Sequence, residues 1–342
     1  MSSPSGEAFQ VEFFRPEYAD GIVRLFRAVY GDSYPIKLFY DANALTEANI
    51  SGECYSIIAR NPKGEVIGVT HLFRSAPYKN LYEVAAGLVL KEYRQIGVNK
   101  SMLDFIYEEW APGQENIEEV FGEAVCNHIY MQKTVLDAVH VETALEVALM
   151  PAEAYDKEKS STGRVAALLI FRPYGSKPHR VYLPSDYENE LKFLYAGLDD
   201  IREMSLSRES LPRNESSKAQ MTVFDFAGVT RIAVEQIGGD FAGYLDGLEN
   251  NALNRKAVVI QVWLKLAVPA VGAAVSILRK KGYFFGGVLP RWFDHDGILM
   301  QKLLCPPDFG GIRLYSDRAH QILDIVKQDW LRAQAEQECM SA

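Results

Sequence analysis

The chain has 342 residues, of which 48% are hydrophobic and 24% are charged, and its formal net charge at pH 7 is −9. This length predicts two domains, and the composition is that of an ordinary globular protein. The negative charge argues against nonspecific binding to nucleic acid or to an anionic membrane, and it is compatible with a cationic amine as substrate.

The four cysteines are scattered along the sequence, and no two of them form a CxxC pair. We therefore predict neither a disulfide framework nor a zinc site, and reduced thiols in a cytoplasmic protein are the simplest interpretation. The N-terminus lacks a basic region followed by an apolar run, so we predict no signal peptide. The longest apolar run, Leu266 to Leu278, is too short to span a bilayer.

Apolar periodicity predicts a regular alternation of elements over roughly residues 8 to 172. The predicted order is strand, helix, helix, three strands, helix, strand, helix and two strands. The turn from Asn61 to Gly64 predicts a hairpin between the second and third strands. The fold predicted for this half is an α/β (α+β) fold with a mixed sheet.

The stretch from Leu81 to Trp110 predicts a strand, a tight loop and a helix. Leu81 to Leu90 is apolar with one interior charge, Glu83, as in a strand buried on both faces. The loop from Lys91 to Gly97 interrupts this run, and from Val98 apolar residues return at helical spacing. The first amides of a helix lack partners within the helix, and with the helix dipole they form a site for phosphate.

Two residues suit this loop to an anionic ligand. Arg94 can add a charge-assisted hydrogen bond, and Gly97 allows a positive φ and a close approach of the backbone. The run Arg94-Gln95-Ile96-Gly97-Val98-Asn99 resembles the acyl-CoA loop of the GNAT superfamily of N-acetyltransferases. That loop has the pattern Gln/Arg-x-x-Gly-x-Gly/Ala between a strand and a helix, and the predicted order of elements is also that of the family.

The resemblance implies acetyl-CoA as co-substrate and no metal. In that family the central strand and the next strand separate, and the pantetheine arm pairs with the backbone of the central strand. A backbone N–H near Leu90 is implied as the donor to the thioester carbonyl, and Asn127 is implied to lie near the pantetheine. The residues implied to bind the cofactor are Leu88, Val89, Leu90, Arg94, Gln95, Ile96, Gly97, Val98, Asn99 and Asn127.

Glu83 is the candidate general base, because it is the only charge in an apolar strand and burial raises a carboxyl pKa. Glutamates at about this distance before the loop serve as base in some family members. The alternatives are that Glu83 lies at an exposed strand start or pairs with a Lys or Arg. The family often places a Tyr seven residues after the Asn as acid; here that position is Thr134, so Tyr130 or His128 is the substitute, or each is structural.

The second half resembles a degenerate copy of the same fold. Residues 172–178 predict a linker, which divides the chain into domains 1–175 and 176–342. Gly238-Gly239-Asp240 stands where the first half has its loop, and a negatively charged N-cap at Asp240 should repel phosphate. We therefore predict that only the first half binds CoA and that the second half shapes the acceptor site. An unrelated α/β domain is the alternative.

These observations predict two GNAT-like mixed-sheet domains flanked by helices. The predicted function is an acetyl-CoA-dependent N-acyltransferase whose acceptor is a small-molecule amine or a peptide, with no nucleic acid or membrane partner. The last helix, predicted over Asp317 to Glu336, either packs on its own domain or forms a homodimer contact. A non-catalytic acyl-CoA-binding or regulatory module is the alternative function, motivated by Thr134 and Asn99. A small-molecule hydrolase is not favoured, because no GxSxG motif is present.

Overall fold

The computed structural model describes residues 9–32, 34, 36–136, 140–152, 163–198 and 201–341. These residues contain strands and helices that alternate along most of the chain. The strands are β1 (Gln10–Phe13), β2 (Cys54–Arg60), β3 (Val66–Phe73), β4 (Leu81–Val89), β5 (Glu119–Val125), β6 (Val141–Met150), β7 (Val165–Pro173), β8 (His179–Leu183), β9 (Arg202–Leu206), β10 (Lys218–Phe224), β11 (Val229–Gln236), β12 (Val259–Lys265), β13 (Phe284–Leu289) and β14 (Gly297–Leu303). The α-helices are α1 (Ala19–Tyr30), α2 (Ala42–Ser51), α3 (Val98–Asp104), α4 (Tyr130–Leu136), α5 (Glu188–Tyr195), α6 (Phe241–Asn254), α7 (Val271–Lys280) and α8 (Asp317–Ser341).

The chain divides into two compact units, Met1–Gly122 and Glu123–Ala342, which we call unit 1 and unit 2. The division falls within β5. In unit 1, strands β1 to β4 pair antiparallel in chain order, and β4 pairs parallel with the first residues of β5.

Helices cover both faces of the sheet in unit 1. The face that carries Ile58 and Val69 packs against Ile22, Leu25 and Phe26 of α1, all fully or almost fully buried. The opposite face is flat at Gly68, where a Cβ would lie 3.0 Å from a Val98 methyl and 3.3 Å from Met102 Cε. A glycine here lets α3 approach the sheet closely, and this approach fixes the position of the α3 N-terminus.

Unit 2 contains a larger antiparallel and mixed sheet, in which β6 lies beside β13. Gly287 has φ +136°, and a Cβ there would come within 2.4 Å of Ala144 Cα, so only glycine allows these strands to meet. The backbone pairing between β6 and β13 is short, with Gly287 opposite Ala144. The buried side-chain amide of Gln301 on β14 adds two hydrogen bonds to β6. Its Oε1 accepts from Val147 N at 2.9 Å, and its Nε2 donates to the Leu145 carbonyl at 2.8 Å.

The pairing pattern of the first half recurs in the second. Strands β3, β4 and β5 pair antiparallel and then parallel, and β10, β11 and β12 do the same. Strands β6 and β7 form an antiparallel pair, as do β13 and β14. In both halves a helix follows the strand that begins the parallel pair, α3 after β4 and α6 after β11.

The predicted α/β fold class is confirmed, and so is the order of elements in the first half. The second helix of the predicted order is expected over Ile36 to Ile50 from the sequence, and the α-helix begins later, at Ala42, where the Asp41 side chain accepts from the amides of Asn43 and Ala44. The predicted central strand ends at Val89 rather than Leu90. Strand β9, which pairs parallel with β8, was not predicted.

Candidate functional site

The loop between β4 and α3 is built by hydrogen bonds to its own backbone. The Leu90 amide donates to the Ile67 carbonyl at 2.9 Å, and Tyr93 N donates to the Leu90 carbonyl at 2.9 Å. Arg94 Nε donates to the Val89 carbonyl at 3.1 Å, so this exposed guanidinium is tied to the end of the strand. Because the Leu90 amide is engaged with Ile67, the expected donor to a thioester carbonyl cannot be Leu90 itself.

The loop then turns through two left-handed residues, Gln95 at φ +72° and Gly97 at φ +88°. Gly97 occupies the N-cap of α3 without a side-chain cap, and a Cβ built there would meet no atom within 4 Å. The Ser101 amide closes the first helical turn onto the Gly97 carbonyl at 2.9 Å. The amides of Val98, Asn99 and Lys100 precede that bond, so they lie at the open, positive end of the helix.

Strand β4 carries a bulge immediately before this loop. Ala86 has φ +52°, and the register with β3 shifts between Leu88 opposite Val69 and Ala85 opposite His71. Gly87 is exposed although Leu88 and Val89 beside it are buried. A bulge re-aims the backbone, and bulges are common beside active sites.

The edge of β4 is paired over only part of its length. Its ladder with β5 joins residues 81–83 to residues 119–121, whereas the paired residues of β4 after Glu83 have their register partners on β3. The edge from the bulge to Val89 therefore has the geometry onto which an extended ligand adds as a strand. Asn99 faces this bulge, with its Oδ1 3.6 Å from a Cβ built at Gly87.

Glu83 lies three residues before the bulge, in the doubly paired start of β4. Its register partners are Phe73 on β3 and Phe121 on β5, and its side chain is only 8% exposed. The alternative of an exposed strand start is therefore wrong.

The remaining predicted site residues belong to unit 2 and are described within it. Asn127 follows β5 and is half-buried, whereas Tyr130 begins α4 and is 75% exposed. The rings of Tyr130 and His128 lie 5.3 Å apart. Thr134 Oγ1 donates to the Tyr130 carbonyl at 3.0 Å, so this hydroxyl bonds to its own helix.

The loop after β11 is closed by its own chain. The Gly238 amide donates to Ser217 Oγ, and the Gly239 amide donates to the Glu215 carbonyl, both at 3.0 Å. A Cβ at Gly238 would lie 2.4 Å from that same carbonyl oxygen. Asp240 holds the N-cap position, but its Oδ1 accepts from Ser217 N at 2.7 Å and caps nothing in α6. The predicted capping role of Asp240 is therefore wrong, because its carboxylate instead accepts from the backbone of the segment Glu215–Ser217, which covers this loop.

Sequence reasoning missed a buried histidine opposite the bulge. His71 is fully buried, and its Nδ1 lies 2.9 Å from Ser56 Oγ. Ser56 Oγ also accepts from Asn49 Nδ2 at 3.0 Å, so this hydroxyl joins the imidazole to the Asn49 amide. Within the described residues Nε2 has no hydrogen-bond partner. Burial lowers the pKa of His71 to about 3. The only signal in the sequence is one His inside an apolar strand.

Unit 2 buries a carboxylate that the sequence also did not reveal. Glu146 on β6 is 1% exposed, and Arg231 NH2 donates to it at 2.9 Å and to Glu123 at 2.7 Å. Burial, opposed by Arg231 and helped by the nearby Glu123, raises the pKa of Glu146 to about 8. Two carboxylates thus share one guanidinium in unit 2.

Two kinds of feature are absent from the described segments. No helix there combines the length and apolar character needed to cross a bilayer. No group of three or more His, Cys, Asp and Glu side chains in the same segments is arranged to hold a metal ion.

Comparison with known proteins gives matches only among solved structures. No protein-family model matches the chain, and no curated protein matches it. The solved structures include a phosphinothricin acetyltransferase of the GNAT superfamily from Sinorhizobium meliloti in complex with AcCoA, with 17% identity, 51% of this chain and 90% of that chain covered, and a TM-score of 0.39.

Two further neighbours are similar. A putative acetyltransferase from Acinetobacter baylyi shares 15% identity over 49% of this chain and 93% of its own, with a TM-score of 0.40. The ribosomal-protein-S5-alanine acetyltransferase from Vibrio fischeri shares 10% identity over 48% of this chain and 93% of its own, with a TM-score of 0.38. Likenesses at this level carry no argument about activity or site residues.

Proposed function

We propose that this chain is an acyl-CoA-dependent N-acyltransferase, with acetyl as the acyl group and an amine as acceptor. One observation carries the proposal: a bulged, partly unpaired strand leads into an open helix N-terminus at Gly97. The strand edge offers amides and carbonyls to an extended amide ligand, and the helix end offers amides and a positive dipole to a diphosphate. An acyl-CoA molecule joins these two chemical features in one ligand.

In this proposal the loop holds the diphosphate and β4 holds the pantetheine arm. The loop residues are Arg94, Gln95, Ile96, Gly97, Val98 and Asn99. The absence of any atom within 4 Å of a Cβ at Gly97 supports the fit, because phosphate oxygens need this close access to the backbone. Leu88 and Val89 supply the strand backbone together with the bulge. Leu90 continues the strand into the loop, and its own amide and carbonyl are bonded to Ile67 and Tyr93. Asn127 is proposed to contact the same arm.

The transfer requires an amine to lose a proton and a thiolate to gain one. We propose Glu83 as the base that accepts the proton of the amine, because it is buried, lies three residues before the bulge and is carried by the same strand. We propose Tyr130 as the acid that protonates the thiolate, since its side chain is exposed and Thr134 occupies the usual position of the acid. The bound coenzyme supplies the thioester; the chain supplies binding, orientation and proton transfer.

The second half is proposed to be a degenerate copy of the first, with domains 1–175 and 176–342. The recurrence of the pairing pattern supports this division. Because the amides of Gly238 and Gly239 already donate hydrogen bonds to Ser217 and Glu215, we propose that this half binds no coenzyme.

A non-catalytic acyl-CoA-binding module is the second candidate. It is favoured by Thr134, whose hydroxyl bonds to the Tyr130 carbonyl instead of standing ready as an acid. Such a module would use the same loop and strand but would not depend on a proton acceptor at Glu83.

The Glu83→Gln variant separates these candidates. Calorimetry measures acetyl-CoA affinity, and thiol release from acetyl-CoA measures turnover with a panel of spermidine, free amino acids and a short peptide. The enzyme proposal predicts unchanged affinity and at least about a 100-fold loss of turnover. Glu47→Gln, an exposed change on α2 in the same unit and outside the loop, should alter neither. No acetyl-CoA binding at millimolar concentration would contradict both candidates, and binding without turnover in the unaltered chain would favour the module.

A further inference from the structure

A cavity of about 320 Å³ opens in unit 1, away from the loop described above. Four aromatic rings line it: Phe13 and Phe14 at the end of β1, Tyr55 on β2, and Trp110. None of these rings is fully buried, and all four line the cavity. A concave volume of this size with mostly apolar walls is typical of a small-molecule site.

The rings are held in place by one another and by an irregular helix. The helical chain continues from α3 as a π-helical turn, Phe105–Trp110. This turn brings two of its rings against Phe13, with centroids 5.2 Å away for Phe105 and 4.9 Å away for Trp110. Trp110 also meets Tyr55 edge-to-face at 4.8 Å. A single turn of π-helix within a helix is frequent at functional sites.

Two side-chain amides line the cavity, and the hydrogen-bonding groups of one of them are already used. Asn49 is locked, because its Oδ1 accepts from Ser56 N at 2.8 Å and its Nδ2 donates to the Leu45 carbonyl and to Ser56 Oγ. Gln114 stands at the rim, and its side-chain amide makes no hydrogen bond to the described residues. It can therefore offer one donor and one acceptor to a ligand.

Charge decides the class of ligand. None of the nine residues that line the cavity carries a formal charge at neutral pH. An ion entering it would lose hydration and gain no opposite charge. Aromatic walls favour a flat ligand, since offset and edge-to-face ring contacts are the preferred geometries.

We propose that this cavity binds an uncharged, planar small molecule that carries an amide or carbonyl group, recognised by the Gln114 amide. The site is separate from the acyl-CoA loop. Gly97 and Trp110 stand at opposite ends of one helical segment, about 20 Å apart at the usual α-helical rise per residue. The inference does not depend on the proposed acyltransferase activity.

Ligand-observed NMR with benzamide tests the proposal, with benzoate and benzylammonium as charged analogues of the same shape. Benzamide should bind saturably in the millimolar range expected of so small a ligand, at least about fivefold tighter than either ion. Coenzyme A should not displace it. No saturable binding of benzamide, equal binding of the ions, or displacement by coenzyme A would overturn the proposal.

Two variants locate the binding. Ile50 lines the cavity but is 76% exposed, so Ile50→Trp should fill the opening without disturbing the core, and we expect at least a roughly tenfold loss of benzamide affinity. Ile201→Trp, the same change at another exposed isoleucine, should leave the affinity unchanged. Gln114→Leu should weaken benzamide binding about fivefold through loss of the amide partner. Binding that survives Ile50→Trp places the ligand elsewhere, and unchanged affinity in Gln114→Leu contradicts the assigned recognition.

Discussion

The loop after β4 and the loop after β11 follow equivalent strands and precede equivalent helices, yet only one of them is open. At Gly97 no atom lies within 4 Å of a Cβ position, whereas at Gly238 a carbonyl oxygen already lies 2.4 Å away. The first loop leaves the helix end to solvent, and the second gives its amides to Ser217 and Glu215. Two loops at the same place in the pairing pattern thus differ in how far the chain itself covers their backbone.

The largest expected effect comes from closing the open loop. Gly97→Asp places a carboxylate at the helix N-cap and should weaken acetyl-CoA binding by roughly 100-fold, because it competes with the diphosphate for the same amides and repels it. Calorimetry measures the change.

Gly64→Asp is the matched control, since Gly64 has φ +84° and lies in the hairpin between β2 and β3. It carries the same strain and charge. Equal losses in both variants would show that the effect is general and not local to the α3 N-terminus.

The two units should also respond to pH in opposite directions. In unit 1, the folded-state pKa of His71 lies below its ordinary value of 6.5, so its stabilising neutral form is fully present above 6.5 and is lost as pH falls toward 3. We expect the free energy of unfolding of unit 1 to decline by about 1.4 kcal/mol per pH unit in that window. Urea unfolding at several pH values, resolved by pulse-labelling hydrogen exchange, measures this slope. His71→Gln, which keeps an acceptor for Ser56, should flatten it.

In unit 2 the folded-state pKa of Glu146 is about 8, above its ordinary value of 4.5. The protonated group contributes its stability fully below 4.5, and this contribution is lost as pH rises toward 8, at up to about 1.4 kcal/mol per pH unit. Glu146→Gln should remove the decline and leave Arg231 paired with Glu123. A decline that persists in this variant would assign the titration to another group. The same labelling experiment measures it.

A smaller effect is expected at Arg94. Arg94→Gln should weaken acetyl-CoA binding about tenfold, through loss of one charge-assisted hydrogen bond and of the bond from Nε to the Val89 carbonyl. Arg24→Gln removes an equal charge from the exposed face of α1 and serves as the control. Acetyl-CoA affinity is measured at low and high salt. A loss caused only by long-range electrostatics would appear in both variants and would fade at high salt.

The smallest effect is expected at Asn99, where the family pattern has Gly or Ala. Its Oδ1 lies 3.6 Å from a Cβ built at Gly87, beside the bulge. Asn99→Ala should therefore make room next to the strand and improve acetyl-CoA affinity by about two- to fivefold, as measured by calorimetry. A loss of affinity would instead make Asn99 a direct ligand contact.

Periodicity sufficed to predict the elements of the first half in order, because the strands β2 to β7 run over 7 to 10 residues and bury one face or both. The Gly97 loop was predictable from six residues, since a glycine with φ +88° and an open helix start leave a local signal. Other features depend on tertiary packing. The bulge at Ala86, the burial of His71 and the parallel pairing of β9 with β8 involve neighbours distant in sequence. Asp240 shows the same limit: its cap position was readable, but its partner Ser217 was not.

Hydrogen exchange of the whole chain with and without acetyl-CoA measures both loops in one experiment. We expect acetyl-CoA to slow exchange at amides 94–100 and in the second part of β4, and to leave amides 238–241 unchanged. Slowing at 238–241, or at neither loop while acetyl-CoA binds elsewhere, would contradict this expectation.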